Sequence, residues 1–592
     1  FEGCDAMSSI DLGKVKEIGD SALSGCRLLS SVDLSAAVSV GKTPFSGCNN
    51  ISVVKLGNNL KSIGDSAFYA LDKVTALNLP ASLETIGTYA FADMSALTSA
   101  TLAGVAIIPQ GAFQGCVNLT AVTFGERLTE IGESAFSRCE KLGTLNFPAS
   151  LIKIGNFAFS RCDGLSAVDF PAGVTEIGEY AFSECAGITA ATFRGKIRSL
   201  GECAFAGTSI DKIEIDGDDL TTGYRVFEGA PLKEVTLRGN IKTLMPDAFG
   251  DQVEIADIPL SIASSFPREK LKKVTLRGSG AVPAGLFNID GSPLASLTLD
   301  GVTEIGHNAF NGCPLTEIDF GDALRIIQSY AFTRSTDLKN LILPDSVETI
   351  DSYAFSGRFE RVYVPATADL ESLAFADCSA DYATAPAAAF NGFTVKHATV
   401  NDGGEIKSGY FTRQPLLETV SLPKTTVIGD DAFRYCENLV SVDMPAVKTI
   451  GEYTFSECGS LKTITLPESV ENIGQRAFYG SKALEDVTFA TLRMTVGEYA
   501  FAELENLKTV HAPDVLGWMS FGFGKYTFSS YDLYVGDALV TDVVVPDDVN
   551  EIGEHAFARC TSIKTVDTGR QVTIIAAHAF DGCTALTDVN IG

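Results

Sequence analysis

Histidine and tryptophan are scarce in this chain, with five and one among 592 residues. So few imidazoles leave little for proton transfer or zinc coordination. A nucleophile elbow, a zinc-binding His pair, a P-loop, a dinucleotide fingerprint and any Cys-x-x-Cys pair are missing too. Paired carboxylates arise by chance throughout so acidic a chain, so none stands out as a general acid and base. The sequence therefore reads as non-catalytic and without a cofactor. Positive charge is also short: 45 Lys and Arg against 74 Asp and Glu give a formal net charge of −29. That balance repels a nucleic-acid backbone or an anionic lipid surface. No apolar run reaches the roughly 18 residues that a bilayer-spanning helix needs. What remains, 45% hydrophobic and 20% charged residues with 37 Phe and 55 Gly, is the composition of a chain that folds throughout.

The phenylalanines are ordered. Aligned on Ala-Phe and its variants, Phe68, Phe91, Phe113, Phe136, Phe159, Phe182, Phe205, Phe227 and Phe249 follow one another at steps of 22 or 23 residues. The step returns from Phe287 to Phe355, from Phe411 to Phe501, and from Phe557 to Phe580. The unit reads I-G-x-x-A-F-x-x-C-x-x-L-x-x-I-x-L-P and is complete at Ile131, Gly132, Ala135, Phe136, Cys139, Leu142, Leu145, Phe147 and Pro148. The last two apolar residues of its L-x-x-I-x-L core share one face at period two, so each unit supplies a short strand. Prolines such as Pro148 and Pro171 close strands where a missing N–H is tolerated. Glycines such as Gly132 and Gly155 follow the Ile, where a tight bend or a close backbone approach favours them.

A single unit of this length cannot bury its own apolar face, and stacking lets each coil cover the next. The fold expected is a mainly β repeat solenoid: a right-handed coil with one long parallel sheet, an irregular or short-strand return side and no regular outer helices. Residues 1–592 read as one solenoid of about 25 coils of 22–23 residues. The register breaks near 251–285, 379–409 and 511–539, where insertions or functional loops are expected.

The repeated I-G-x-x-A-F-x-x-C-x-x-L motif resembles the BspA-like, or Treponema-type, class of leucine-rich repeats over nearly the whole chain. It differs from the commonest leucine-rich pattern in placing Cys before the strand and in lacking a helical return segment. The resemblance implies a protein secreted from, or anchored on the surface of, a bacterium, with an adhesin-like role toward a host or microbial protein or glycan. A glycan-capture or scaffold role in nutrient uptake is the alternative, with Trp518 and nearby aromatics stacking on sugar rings.

Thirteen of the 14 cysteines lie three residues after the repeat Phe position, Cys116 and Cys139 among them. A slot set by the repeat is a packing slot, where free Cys acts as a small hydrophobe, so unpaired buried thiols are expected. His307, His397 and His511 stand isolated in the sequence. His555 and His578 lie 23 residues apart, which puts them on adjacent coils. Their slot, two before Phe, holds Tyr89, Phe157, Tyr180, Tyr330, Tyr353, Tyr453 and Tyr499 elsewhere, so an aromatic ladder is favoured over a metal pair.

The outward strand position carries short polar residues over the first ten or so coils, Asp33, Asn78 and Thr123 among them. Farther along, Ile342, Arg361, Tyr363 and His511 bring larger groups to that face, and Arg and Tyr are common interface anchors. The third register break adds Trp518 and Tyr526, a density of aromatics expected of a satellite core or a recognition surface. These six residues are the candidate ligand contacts. At the ends, Phe1 already stands in repeat register without an initiator Met or a basic-then-apolar leader, and Leu586, Val589 and Ile591 form a last repeat strand. Both ends look uncapped, so an interior portion of a longer, exported protein is expected.

Overall fold

Each Ala-Phe dipeptide of the 22- or 23-residue repeat sits between two left-handed residues that turn the chain. In the coil of Phe113 they are Gly111, φ +62°, and Gly115, φ +74°. The same slots hold non-glycine residues elsewhere, such as Ser134 with Arg138 and Tyr180 with Glu184. A left-handed conformation costs such a residue about 1–2 kcal/mol. Backbone hydrogen bonds to the next coil offset that cost: the Gly111, Phe113 and Gly115 N–H groups donate to the carbonyls of Glu133, Ala135 and Ser137 at 2.7–2.8 Å. The turn sends Ala112 and Phe113 into the core, where both are fully buried.

The computed structural model describes residues 1–521 and 528–592. After the turn, Cys116 and Leu119 join the core and the strand Ala121–Phe124 pairs parallel and in register with Ser99–Leu102. Val122 and Phe124 point inward while Ala121 and Thr123 face out. The coil closes on a two-residue return strand, Glu130–Ile131, which pairs parallel with Ile107–Ile108 on one side and Lys153–Ile154 on the other. A coil therefore has a front strand, a short return strand and a hydrogen-bonded turn, with almost no helix.

The chain divides into two compact units, Phe1–Ser279 with Ser292–Leu299, and Gly280–Gly291 with Asp300–Gly592. Each is a parallel β-solenoid. In the first, the Phe rings from Phe45 through Phe136 to Phe249 stack at centroid spacings of 5.0–5.6 Å. In the second, Phe287, Phe310, Phe332, Phe355 and Phe375 stack at 5.3–5.4 Å. Burying each ring contributes about 2–3 kcal/mol, so the column dominates the core.

Two expectations sharpen here. A Cβ on Gly155 would lie 2.8 Å from the carbonyl carbon of Gly132, and one on Gly132 would lie 2.7 Å from the Ile108 oxygen. Neither glycine has a positive φ, so close approach of successive return strands selects glycine and a special bend does not. The cysteine slot is also more than a small hydrophobe. Cys116, Cys139, Cys162 and Cys185 each donate their thiol to the carbonyl of the Phe one coil back, at 3.0–3.3 Å. Ser335 and Ser481 occupy the same slot and donate to Phe310 and Phe455 at 3.2 and 2.6 Å. In these coils the position holds a small buried donor.

Two of the register breaks carry strands of the parallel sheet. Within 251–285, Ile255–Pro259 pairs parallel with Lys273–Arg277. Within 379–409, Cys378–Ala385 and Thr394–Val400 are parallel sheet strands. The third break holds a short helix, Val515–Ser520, capped where Asp514 accepts from the Gly517 N–H at 2.5 Å. A hairpin of Asp532–Val535 with Ala538–Leu539 follows, and its two strands pair antiparallel.

Candidate binding face on the second unit

The front sheet of the second unit widens where its coils shorten. Phe375 follows Phe355 after 20 residues and Phe393 follows after 18, yet the rings still stack at 5.4 and 5.7 Å. The front strands here, Gly357–Tyr363, Cys378–Ala385 and Thr394–Val400, run 7, 8 and 7 residues against 4 in a coil such as Ala121–Phe124. They pair parallel between Asn340–Ile342 on one side and Thr419–Ser421 on the other.

In-register pairing sorts the outward side chains into rows. One row is charged: Lys339 pairs with Glu360 at 3.4 Å and Lys396 with Glu418 at 3.2 Å. The next runs Arg361, Tyr382, His397, Thr419. The Arg361 guanidinium lies 6.0 Å over the Tyr382 ring. That ring stacks on His397 at 4.7 Å with a 23° tilt, and His397 Nδ1 is 2.9 Å from Thr419 Oγ1. A third row runs Ile342, Tyr363, Thr384, Thr399. The Tyr363 hydroxyl donates to Asp345 at 2.7 Å, and that carboxylate, with partial burial, holds the phenol pKa above its ordinary value. Ile342 and Tyr382 are about half exposed, at 53% and 54%.

The structure thus brings Ile342, Arg361 and Tyr363 onto one face and adds Tyr382 and His397, which the repeat register does not reveal. A signal existed: Tyr382-Ala-Thr and His397-Ala-Thr align on their inward Ala and outward Thr. His511 lies on a different sheet, stacked on Tyr534 at 5.1 Å with Nε2 3.0 Å from Asp486. Trp518 requires a correction. It is fully buried, against Phe489, Phe528 and Tyr531 at 5.7–6.1 Å, because the short helix folds its indole into the core as a satellite cluster. It presents no surface to a ligand. Tyr526 lies outside the described residues.

His555 and His578 stack at 4.9 Å with rings 4° apart, as neighbours in a ladder. Among the described residues no group of three or more His, Cys, Asp or Glu is arranged to hold a metal ion. Nor is any helix among them long and apolar enough to cross a membrane.

The model of the BspA type leucine rich repeat region matches in six copies, over residues 1–98, 129–256, 284–391, 404–534 and 530–592. The chain belongs to this family. Among solved structures, this BspA-type chain is similar to a leucine-rich repeat protein from Bacteroides ovatus, at 20% identity over 80% of this chain and 88% of that one, TM-score 0.20. It is also similar to a leucine rich cell surface protein from Faecalibacterium prausnitzii, at 19% identity over 80% and 87%, TM-score 0.22. A T. pallidum leucine rich repeat protein is 26% identical over 23% of this chain and 75% of that one, TM-score 0.19. No curated protein matches the chain.

Proposed function

We propose that this BspA-type protein is a non-catalytic, secreted or surface-exposed binding protein. Its role is adhesin-like: it engages a host or microbial macromolecule through the face centred on Tyr382. The observation that carries this reading is the contiguous run Arg361, Tyr382, His397 on a sheet whose next strands carry short polar groups, Thr419 and Ser441, in the same row. Large side chains held in place by neighbours lose little entropy on binding and make strong interface anchors. The alternative, glycan capture, drew on Trp518, whose indole belongs to the core.

The test is a binding screen of the intact protein against extracellular-matrix proteins and polysaccharides, repeated with Arg361→Ala and Tyr382→Ala. Binding that falls at least tenfold in both variants supports the reading. Binding untouched by both, or turnover of a bound substrate that a point substitution abolishes, overturns it.

A further inference from the structure

Two arginines on this face carry no ion pair among the described residues. Many cations on or beside the front strands meet a carboxylate on the neighbouring coil: Lys55 with Asp33 at 3.0 Å, Arg238 with Glu214 at 3.3 Å, Arg277 with Asp257 at 2.6 Å and Lys508 with Glu485 at 2.6 Å. Among the described residues, Arg358 and Arg361 have no carboxylate within ion-pair distance, and both are exposed. They share the strand Gly357–Tyr363 and face the same side as Tyr382. In a chain of net charge −29 these are two exposed guanidinium groups without a carboxylate partner, three residues apart on one strand, with Glu360, held by Lys339, between them and Asp381 on the neighbouring strand.

The geometry of Tyr382 narrows what could settle there. Its strand lies between those of Arg361 and His397, so the guanidinium covers one face of the ring and the imidazole the other. The imidazole fills one face at 4.7 Å and the guanidinium stands over the other at 6.0 Å, so a sugar ring would have to displace the arginine to stack there. The ring edge and the phenol O–H remain exposed, a rigid amphipathic anchor of the sort that protein interfaces use. The Thr384 and Thr399 row beside it offers methyl and hydroxyl groups, with Ile342 at its margin.

We propose that this face docks an acidic polypeptide segment. Its carboxylates pair with Arg358 and Arg361, and its backbone or an apolar side chain meets the edge of Tyr382. Guanidinium groups suit this because they grip a carboxylate bidentately and desolvate more readily than an ammonium. The acidity of the rest of the chain slows the encounter without forbidding contact, since screening over about 8 Å at physiological ionic strength leaves the local pair dominant. The inference rests on reading this face as a binding surface and adds the class of partner.

The experiment pans a phage-displayed library of random dodecapeptides against the intact protein. The R358A/R361A double variant and Tyr382→Ala serve as counter-targets, and each variant is first shown by circular dichroism and melting to be folded. The expected result is enrichment of Asp- and Glu-rich peptides. Synthetic copies of these bind wild type at least tenfold more tightly than either variant and weaken as salt rises. No enrichment, enrichment of neutral or basic peptides, or equal binding to the variants overturns the proposal. An array of acidic glycans is probed in parallel. A glycan held by wild type and lost by Tyr382→Ala, with no peptide selected, would keep the face as a binding surface and overturn the polypeptide assignment. Matrix proteins or polysaccharides that bind wild type and both variants alike would overturn the face itself.

Discussion

The thiol of Cys139 donates to the carbonyl oxygen of Phe113, one coil back, at 3.3 Å. The bond ties the turn of one coil to the aromatic column of its neighbour inside a core that excludes water. Both partners occupy recurring slots of the unit, so the tie recurs in other coils, through Cys116, Cys162, Ser335 and Ser481 among others.

Cys139→Ser should keep this tie, as Ser335 and Ser481 do in their own coils. We expect it to unfold within about 1 kcal/mol of wild type in urea. Cys139→Val removes the donor and adds bulk in a fully buried site, which should cost about 1–3 kcal/mol more. A valine variant as stable as the serine one would show that the slot asks only for size.

Burial also governs how these thiols ionise. Desolvation pushes Cys116, Cys378 and Cys436 from an ordinary value of 9.0 up to about 12. The folded state thus holds protons that the unfolded state releases once the pH passes 9. Their contribution to stability is complete below about pH 9 and is lost progressively as the pH rises toward 12. Urea midpoints measured from pH 7 to 11 should therefore fall above about pH 9, and a Ser variant at two of these sites should flatten the fall. A midpoint that rises over that range would contradict the sign. In the native protein at pH 8, iodoacetamide should label the exposed Cys4 well ahead of these three.

Gly155→Ala tests the close approach of the return strands. Its Cβ would meet the Gly132 backbone at 2.8 Å, whereas that of Gly143 would meet only the Thr120 oxygen, at 3.5 Å. Neither has a positive φ, so strain does not confuse the comparison. Gly155→Ala should cost about 1–3 kcal/mol and Gly143→Ala should lie within about 0.5 kcal/mol of wild type. Thermal melting of the two variants side by side decides, and equal melting temperatures would refute the steric reading.

Tyr382→Ala and Arg361→Ala remove exposed groups. Their unfolding midpoints should match wild type to within about 0.5 kcal/mol, as surface substitutions usually do. Any loss of binding then reports the contact and not the fold. A loss of several kcal/mol would mean that the Arg361, Tyr382, His397 stack is a structural clamp.

The repeat was legible because one coil's burial pattern is written again every 22 or 23 residues. The inward slots of Phe136, Cys139 and Leu142 follow from that period alone, as do the stacking of His555 on His578 and the outward side chain of Ile342. Period counting fails where coil length changes. The coils of Phe375 and Phe393 are shorter, so Tyr382 and His397 fall out of numerical register although their strands pair in register in space. Trp518 fails for the opposite reason: an aromatic cluster on a break looks the same in sequence whether it covers a core or faces solvent. The chain by itself determined a stack of coils and what fills them. Only the tertiary structure decided which side chains from unequal coils stand side by side, because sheet hydrogen bonding aligns strands by backbone partners and takes no account of the residues between them.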